Sequence, residues 1–372
     1  MPTPGPPSGQ AQFVAAVNAH LDAFLVEKKD QLAAIASASA PLIDSLIALS
    51  TGGKKLRPVL AWIGWRAAAD GHSDEHPANE ALLHLAAALE LFQAAALVHD
   101  DVIDRSATRR AQPSVHVKFQ QHHRQAGWSA DAAHFGTTGA ILSGDLALSW
   151  ASELFERAGQ SAPSHARRAG EVFRRMHTEV ITGQYLDVVA EVAHPPATEA
   201  EALAQARTVL TFKSAKYSTQ HPIELGCALA GGSAELGAAL AEAALPLGIA
   251  FQLRDDLLGV FGDARVTGKP VGDDLREGKR TELIAYGLHR APAAEAAELE
   301  ALLGDPSLTE SEAVRIQQIL TAAGAVAEVE ADISQLTARS AAARAHLAEL
   351  GVSPQVLRDL DTVAELLVSR TS

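Results

Sequence analysis

Asp100 and Asp104, in the stretch ALVHDDVIDRSATRR, close an apolar run and stand four residues apart. At that spacing on a helix their carboxylates share one face, one turn apart, while Asp101 points aside. Two like charges so placed destabilise a helix unless something cationic sits between them. No Lys or Arg lies on that face in the preceding turns. Paired hard oxygen donors suit Mg²⁺, which takes one or two carboxylates and gives its other positions to water and substrate phosphates. Taken alone the pattern is a weak signal, because solvated acidic surfaces produce it by chance.

A second acidic segment, FQLRDDLLGVFGD, changes that weighting. Asp255 and Asp256 again follow an apolar helical stretch, but Gly259 stands where a second carboxylate one turn on would be, and Asp263 lies eight residues from Asp255. This cluster should contribute fewer direct ligands than the first. Bases gather at Lys54, Lys55 and Arg57 in GGKKLRP, at Arg109 and Arg110, at Lys213 and Lys216 in FKSAKYS, and at Lys269 in VTGKP. In a chain of net charge -14, acidic clusters beside basic loops suggest two phosphorylated groups, one held through metal and one directly by Lys and Arg.

The elements that must position these groups read as helices. The 372 residues are 47 % hydrophobic and only 5 % aromatic, Ala and Leu dominate, and runs of β-branched residues with period two are scarce. Expected helices include 11–36, 56–70, 79–105, 130–158, 164–192, 198–218, 222–230, 234–261, 309–348 with a break near Gly324, and 354–369. No composition shift marks a linker and no fixed period repeats. One helical domain over 11–372 is therefore expected, preceded by a flexible tail at 1–10. Residues 113–135, which hold His116, His122, His123 and His134, read as an exposed loop rather than a zinc site, since adjacent histidines point about 100° apart on a helix.

The excess of 45 Asp plus Glu over 31 Lys plus Arg argues against nucleic acid as a partner. A single cysteine, Cys227, rules out an internal disulfide and fits a reducing, cytoplasmic setting. The N-terminal MPTPGPPSGQAQ does not look like a signal peptide and the C-terminal VSRTS carries no prenylation box. The most apolar stretch, Ala81 to Val98, contains His84, Glu90 and Gln93, so a buried helix explains it better than a membrane span.

Together these stretches resemble the trans-isoprenyl diphosphate synthases, the polyprenyl synthetase family. HDDVIDRSATRR looks like its first aspartate-rich motif with the arginine pair, and FQLRDDLLGVFGD looks like its second. GGKKLRP, ILSGDLAL, TGQYLD, FKSAKYS and VTGKPVGDDLREGKRT match further blocks in order, over about residues 50–285. The resemblance implies an all-α isoprenoid synthase-type helical bundle around a central active-site cavity, usually a homodimer. It implies that Asp100, Asp104 and Asp255 bind Mg²⁺, three ions when substrate is present, with Asp101 and Asp256 in support. It gives Arg109, Lys213 and Lys269 to the allylic diphosphate, and Lys54, Arg57 and Arg110 to isopentenyl diphosphate. Gln184, Asp187 and Gln252 match polar positions of the family's cavity wall.

Three positions depart from the family pattern. Gln93 stands where the family often has His, so a hydrogen-bond donor replaces a group that can carry charge. Gly259 replaces the last Asp of the second motif, and Ala111 replaces a usual Gly. Small Ala95 and Ala96 stand where a bulky aromatic would stop the product at farnesyl length, and Phe92 lies one turn deeper on the face of Ala96 and Asp100. A turn advances about 5.4 Å, comparable to one isoprene unit, so geranylgeranyl diphosphate is the expected product. Alternatives are a farnesyl or longer-chain synthase, a terpene cyclase, which would need no second diphosphate pocket, and a catalytically silent regulatory subunit.

Overall fold

The protein is described here from a computed structural model covering residues 8–69, 79–262 and 272–368. Helix accounts for 82 % and strand for 1 %, so the chain is all-α, as its composition implied. In chain order the helices are α1 (Ser8–Ile35), α2 (Ala40–Ser50), α3 (Leu56–Ala68) and α4 (Glu80–Ile103). A hairpin of β1 (Thr108–Arg109) and β2 (Gln112–Pro113) leads to α5 (Val115–Gln125), α6 (Ala132–Ser161), α7 (Ala166–Val192) and α8 (Glu199–Val209). A π-helical segment, Leu210–Gln220, runs into α9 (His221–Leu229) and then α10 (Ala234–Phe261). The chain finishes with α11 (Asp273–Glu277), α12 (Glu282–Arg290), α13 (Ala293–Leu302), α14 (Glu310–Ala322), α15 (Ala325–Glu349) and α16 (Pro354–Val368).

Two compact units divide the chain, one of residues 1–171 with 222–237 and one of 172–221 with 238–372. In the first, α4 is the central element. Its Ala and Leu residues are strong helix formers, Asn79 accepts a hydrogen bond from the Leu82 amide at its start, and Glu80 lies in its first turn, where the helix dipole favours an acid. Leu85, Leu89, Leu91 and Val98 are fully buried. α4 and α10 are each long and apolar enough to cross a membrane, but 78 % of the most apolar stretch of α4 is buried inside the protein, as in a core helix.

Helix α6 packs closely on both α4 and α5 where it carries small residues: Gly144 lies against His99 of α4 and Gly139 against Phe119 of α5, and Ala140 and Ala147 are fully buried. A β-carbon on Gly144 would come within 2.2 Å of His99 Nε2, so the helix separation at the level of the first acidic segment depends on the absence of a side chain there. The second unit has its own core, in which Leu253, Leu257 and Val260 of α10 meet Leu283 and Ile284 of α12 and Ile316, Ile319 and Leu320 of α14.

The long expected helices appear close to their predicted limits, among them α4, α7, α10 and α16, and the expected break falls at Gly324, whose φ is +75°. Three readings need correction. The helix expected at 198–218 changes to π-helical geometry at Leu210. The stretch 113–135 is mostly helix: Val115–Gln125 form α5, which buries Val115, Phe119 and His123 at four-residue spacing, and 132–135 open α6. There the His123 ring packs with Trp128 and Phe135 and its Nε2 lies 2.9 Å from the Ser129 carbonyl; a core histidine is invisible to a hydropathy pattern. Residues 8–10, expected in a flexible tail, already belong to α1.

Candidate active site

The first acidic cluster forms where α4 ends. Helical geometry persists to Asp104, whose amide donates to the Asp100 carbonyl at 2.8 Å, and then Arg105 takes a left-handed conformation with φ +54°. The chain turns back through the β1–β2 hairpin, with Arg109 paired to Gln112 and Arg110 and Ala111 as its two-residue loop. Both loop residues have positive φ, +54° and +57°, the backbone of a type I′ turn, which normally selects Asn and Gly.

That reversal delivers the missing cation. Arg109 Nε donates to Asp101 Oδ1 at 2.9 Å, and its Nη2 donates to the same oxygen at 2.5 Å and to Asp100 Oδ2 at 3.3 Å. Asp101 is 1 % exposed and Asp100 20 % exposed. Asp101 is thus the inward carboxylate that anchors the arginine, while Asp100 and Asp104 are half-buried. Beside them His99 Nε2 lies 3.5 Å from Asp145 Oδ1 of α6. Sequence reasoning gave His99 and Asp145 no role, although they lie in the HDD and SGD blocks; the contact between those blocks exists only in the folded chain.

The hairpin also carries Arg110 to the GGKKLRP loop. Its guanidinium lies 3.5 Å from the position a β-carbon would take on Gly53, and its Nη1 donates to the Leu49 carbonyl at 3.5 Å. Lys54 is exposed and Arg57 half-buried on this loop. Lys55 is different in kind: buried, with φ +49°, it donates to Glu90 Oε2 and to the Ser50 carbonyl, each at 2.7 Å. Lys55 therefore fastens the loop to α4. Gln93 is half-buried close to one turn beyond Glu90. On the α4 face that runs back from Asp100, Ala96 is half-buried and Phe92 buried, and Ala95 is buried to the side of that face.

In the second unit, α10 presents Asp255 exposed and Asp256 buried. Gln252 Nε2 donates to Asp256 Oδ1 at 3.0 Å. Burial pushes the Asp256 carboxyl well above the usual carboxylate range, and the Gln252 hydrogen bond opposes this only in part, while the Asp274 and Asp255 charges add to it. Lys213, in the π-helical segment, is ion-paired with buried Asp187 of α7, and Gln184 is half-buried one turn before Asp187. Lys216 donates to both oxygens of Glu179 at 3.1 Å, and His221 Nε2 lies 2.8 Å from Glu179 Oε2. Burial favours a raised Glu179 carboxyl, but the His221 and Lys216 hydrogen bonds outweigh it and hold the group below its ordinary value. Glu191 of α7 is pushed up to about 7, first by burial and then by the Asp187 carboxylate. Glu179, Glu191 and Asp274 were not singled out from sequence, because nothing in their spacing separates them from surface acids. Lys269 and Asp263 lie outside the described residues.

Among the described residues no three His, Cys, Asp or Glu side chains close on one metal position. The all-oxygen pair Asp100 and Asp104, half-buried and one turn apart, fits Mg²⁺ in particular, because that ion keeps several waters and completes its shell with substrate phosphates instead of a protein cage. Asp100, Asp101 and Asp104 bring three carboxylates to the end of α4, oxygen donors of the kind a hard dication takes.

A profile of the polyprenyl synthetase family matches residues 42–321, and the chain belongs to that family. Geranylfarnesyl diphosphate synthase of Aeropyrum pernix is 30 % identical over 284 residues, covering 76 % of this chain and 80 % of that protein. Geranylgeranyl diphosphate synthase of Sulfolobus acidocaldarius is 30 % identical over 273 residues, 73 % of this chain and 74 % of its own length. Among solved structures, geranylgeranyl pyrophosphate synthase of Corynebacterium glutamicum, complexed with isoprenyl diphosphate and magnesium, superposes with TM-score 0.89 at 39 % identity, covering 97 % of this chain and 99 % of that one.

Two expectations follow. Because Ala111 holds a left-handed conformation that glycine adopts without steric cost, Ala111→Gly should raise stability by up to about 1 kcal/mol, read from the thermal midpoint. For Glu191, the folded carboxyl near 7 against 4.5 for the ordinary value means that the folded state holds the extra proton in between. Stability is therefore lost as pH rises through that window. Relative to wild type, Glu191→Gln should gain about 1–2 kcal/mol between pH 5 and pH 8, the figure being reduced for the partial exposure of the group.

Proposed function

We propose that this chain condenses isopentenyl diphosphate with allylic diphosphates (dimethylallyl, geranyl and farnesyl) to a trans-prenyl diphosphate, with geranylgeranyl diphosphate as the main product. The observation that carries the reading is the Asp100, Asp101 and Arg109 cluster at the end of an apolar helix in a member of the polyprenyl synthetase family.

In this reading Asp100 and Asp104 are Mg²⁺ ligands of the first acidic segment, and Asp255 takes that role in the second as the resemblance implies. When bound, Mg²⁺ neutralises the charge that grows on the departing diphosphate. Arg109 and Lys213 hold that diphosphate, and each is braced in advance by a buried acid, Asp101 and Asp187 respectively. Bracing fixes the guanidinium and ammonium before substrate arrives, which lowers the ordering cost of binding. Lys269 shares the task as the resemblance implies. Lys54, Arg57 and Arg110 hold isopentenyl diphosphate, with Gln93 donating a neutral hydrogen bond beside them. Gln184, Gln252 and Asp256 keep these groups in register.

With both substrates held, the allylic carbon to oxygen bond ionises and the isopentenyl double bond attacks the resulting cation. A proton then leaves to the released diphosphate. The apolar residues of α4 keep water from quenching the cation. Along the α4 face Asp100 and Ala96 are half-buried and Phe92 is buried, which supports Phe92 as the floor that limits the growing chain. A homodimer in the cytoplasm completes the proposal; Ile141 and Leu142 of α6 are exposed and offer it an apolar strip.

Purified protein given Mg²⁺, an allylic diphosphate and labelled isopentenyl diphosphate should incorporate label, and chelation should abolish it. Asp100→Asn should lower turnover by about a hundredfold or more, on the scale of removing an electrostatic stabiliser of the reaction. A hydrocarbon formed from the allylic substrate alone would overturn the reading in favour of cyclisation. Product length provides a separate check: Ala96→Phe, and Ala95→Phe if its core site accommodates the ring, should shift the product toward farnesyl diphosphate by chromatography. An unchanged length in folded variants would remove Phe92 as the floor.

A further inference from the structure

The glycine that breaks the second acidic segment is matched by a carboxylate from elsewhere in the same unit. Gly259 lies one turn after Asp255 on α10, the offset that separates Asp104 from Asp100 on α4. A β-carbon on Gly259 would sit 1.8 Å from Oδ2 of Asp274 and 2.5 Å from its Cγ. The carboxylate of Asp274 thus occupies the space where a side chain of residue 259 would begin. A carboxylate therefore does stand beside α10 at position 259, supplied by α11 and with its side chain 13 % exposed.

Asp274 is held there from several sides. Lys279 Nζ donates to its Oδ1 at 3.1 Å and also pairs with Glu277 Oε2 at 2.6 Å. Helix α11 is fastened to the core: Leu275 is 1 % exposed, its carbonyl accepts from the Gly304 amide at 2.8 Å, and Arg276 Nε and Nη2 donate to the Leu308 carbonyl at 3.2 and 3.1 Å. With only one methylene between its backbone and its carboxyl group, an aspartate on so fixed a helix has little room to retreat. A side chain at position 259 and the observed position of Asp274 therefore exclude each other.

We propose that Asp274 is a positioning residue for the metal-binding face of α10, standing in for the carboxylate that Gly259 lacks, and that Gly259 is required in order to admit it. This rests on the prenyltransferase reading above. Its consequence runs against motif logic: restoring aspartate at 259 should harm the protein rather than repair it, unless Asp274 is cut back at the same time.

Manganese can be titrated into the purified full chain with inorganic pyrophosphate present, bound and free ion being read by electron paramagnetic resonance. Asp274→Asn, nearly isosteric, should weaken Mn²⁺ binding by about tenfold to a hundredfold, the usual cost of losing a residue that orients a metal site, with an unchanged thermal midpoint. Turnover lost at low Mg²⁺ should return at high Mg²⁺. Gly259→Asp should weaken Mn²⁺ binding comparably, and the exchange variant Gly259→Asp with Asp274→Ala should recover most of the loss. Wild-type Mn²⁺ affinity in Asp274→Asn, or a lowered thermal midpoint without a change in affinity, would overturn the inference and leave the pair structural; Asp274→Asn decides even if Gly259→Asp does not fold. A wild-type chain that binds no Mn²⁺ with pyrophosphate and transfers no prenyl group would instead overturn the functional reading on which the inference rests.

Discussion

Carboxylates crowded at the end of an apolar helix repel one another, and the Arg109 guanidinium makes that crowding tolerable. Its hydrogen bonds to Asp101 and Asp100 hold the acidic end of α4 together. The arginine arrives only because the chain reverses within a few residues, and that reversal requires a two-residue turn. Arg110 and Ala111 accept left-handed backbone conformations to make it. Each such residue costs about 1–2 kcal/mol, so local strain is tolerated in exchange for placing a cation among acids. Strain of this kind persists only where surrounding contacts over-determine the geometry. Here the Arg109 clamp and the packing of Arg110 beside Gly53 supply those contacts.

The same logic runs through the basic residues, with different ends. Lys213 pairs with Asp187, Lys216 with Glu179 and Lys55 with Glu90. Removing a charge pair from water costs roughly what its attraction returns, so such pairs contribute more to placement than to stability. Lys55 shows the distinction most clearly. Its sequence neighbours Lys54 and Arg57 are at least partly accessible, whereas Lys55 turns inward to tie its loop to α4. Basic residues in one motif thus divide between holding a ligand and holding the fold.

In the second unit the acids are differentiated by burial. Asp255 is exposed on α10, Asp256 is buried beside it with its carboxyl pushed up, and Glu191 is raised to about 7. Adjacent or neighbouring carboxylates in unlike environments cannot all serve as interchangeable charge. The exposed group is suited to a cation and the buried one to a hydrogen bond with Gln252. The π-helical segment that carries Lys213 adds a backbone departure at the same place, as such segments often do near functional residues.

Helical class and the course of α4, α7, α10 and α16 were legible along the chain, because Ala and Leu content, apolar runs and the glycine at 324 act within a few residues of where they stand. The two acidic segments, the basic loops and their order were legible for the same reason, and they sufficed to recognise the family. Hidden were the partners that residues acquire from distant sequence: Arg109 as the counter-charge of Asp101, Lys55 as an anchor, Asp274 beside Gly259, and His123 as part of a core within a stretch that looked like loop. Local propensity follows from a residue and its near neighbours, so it can be read in one dimension. Burial, counter-charge and the space left by a missing side chain are set by what packs against a residue, and those neighbours exist only once the chain has folded.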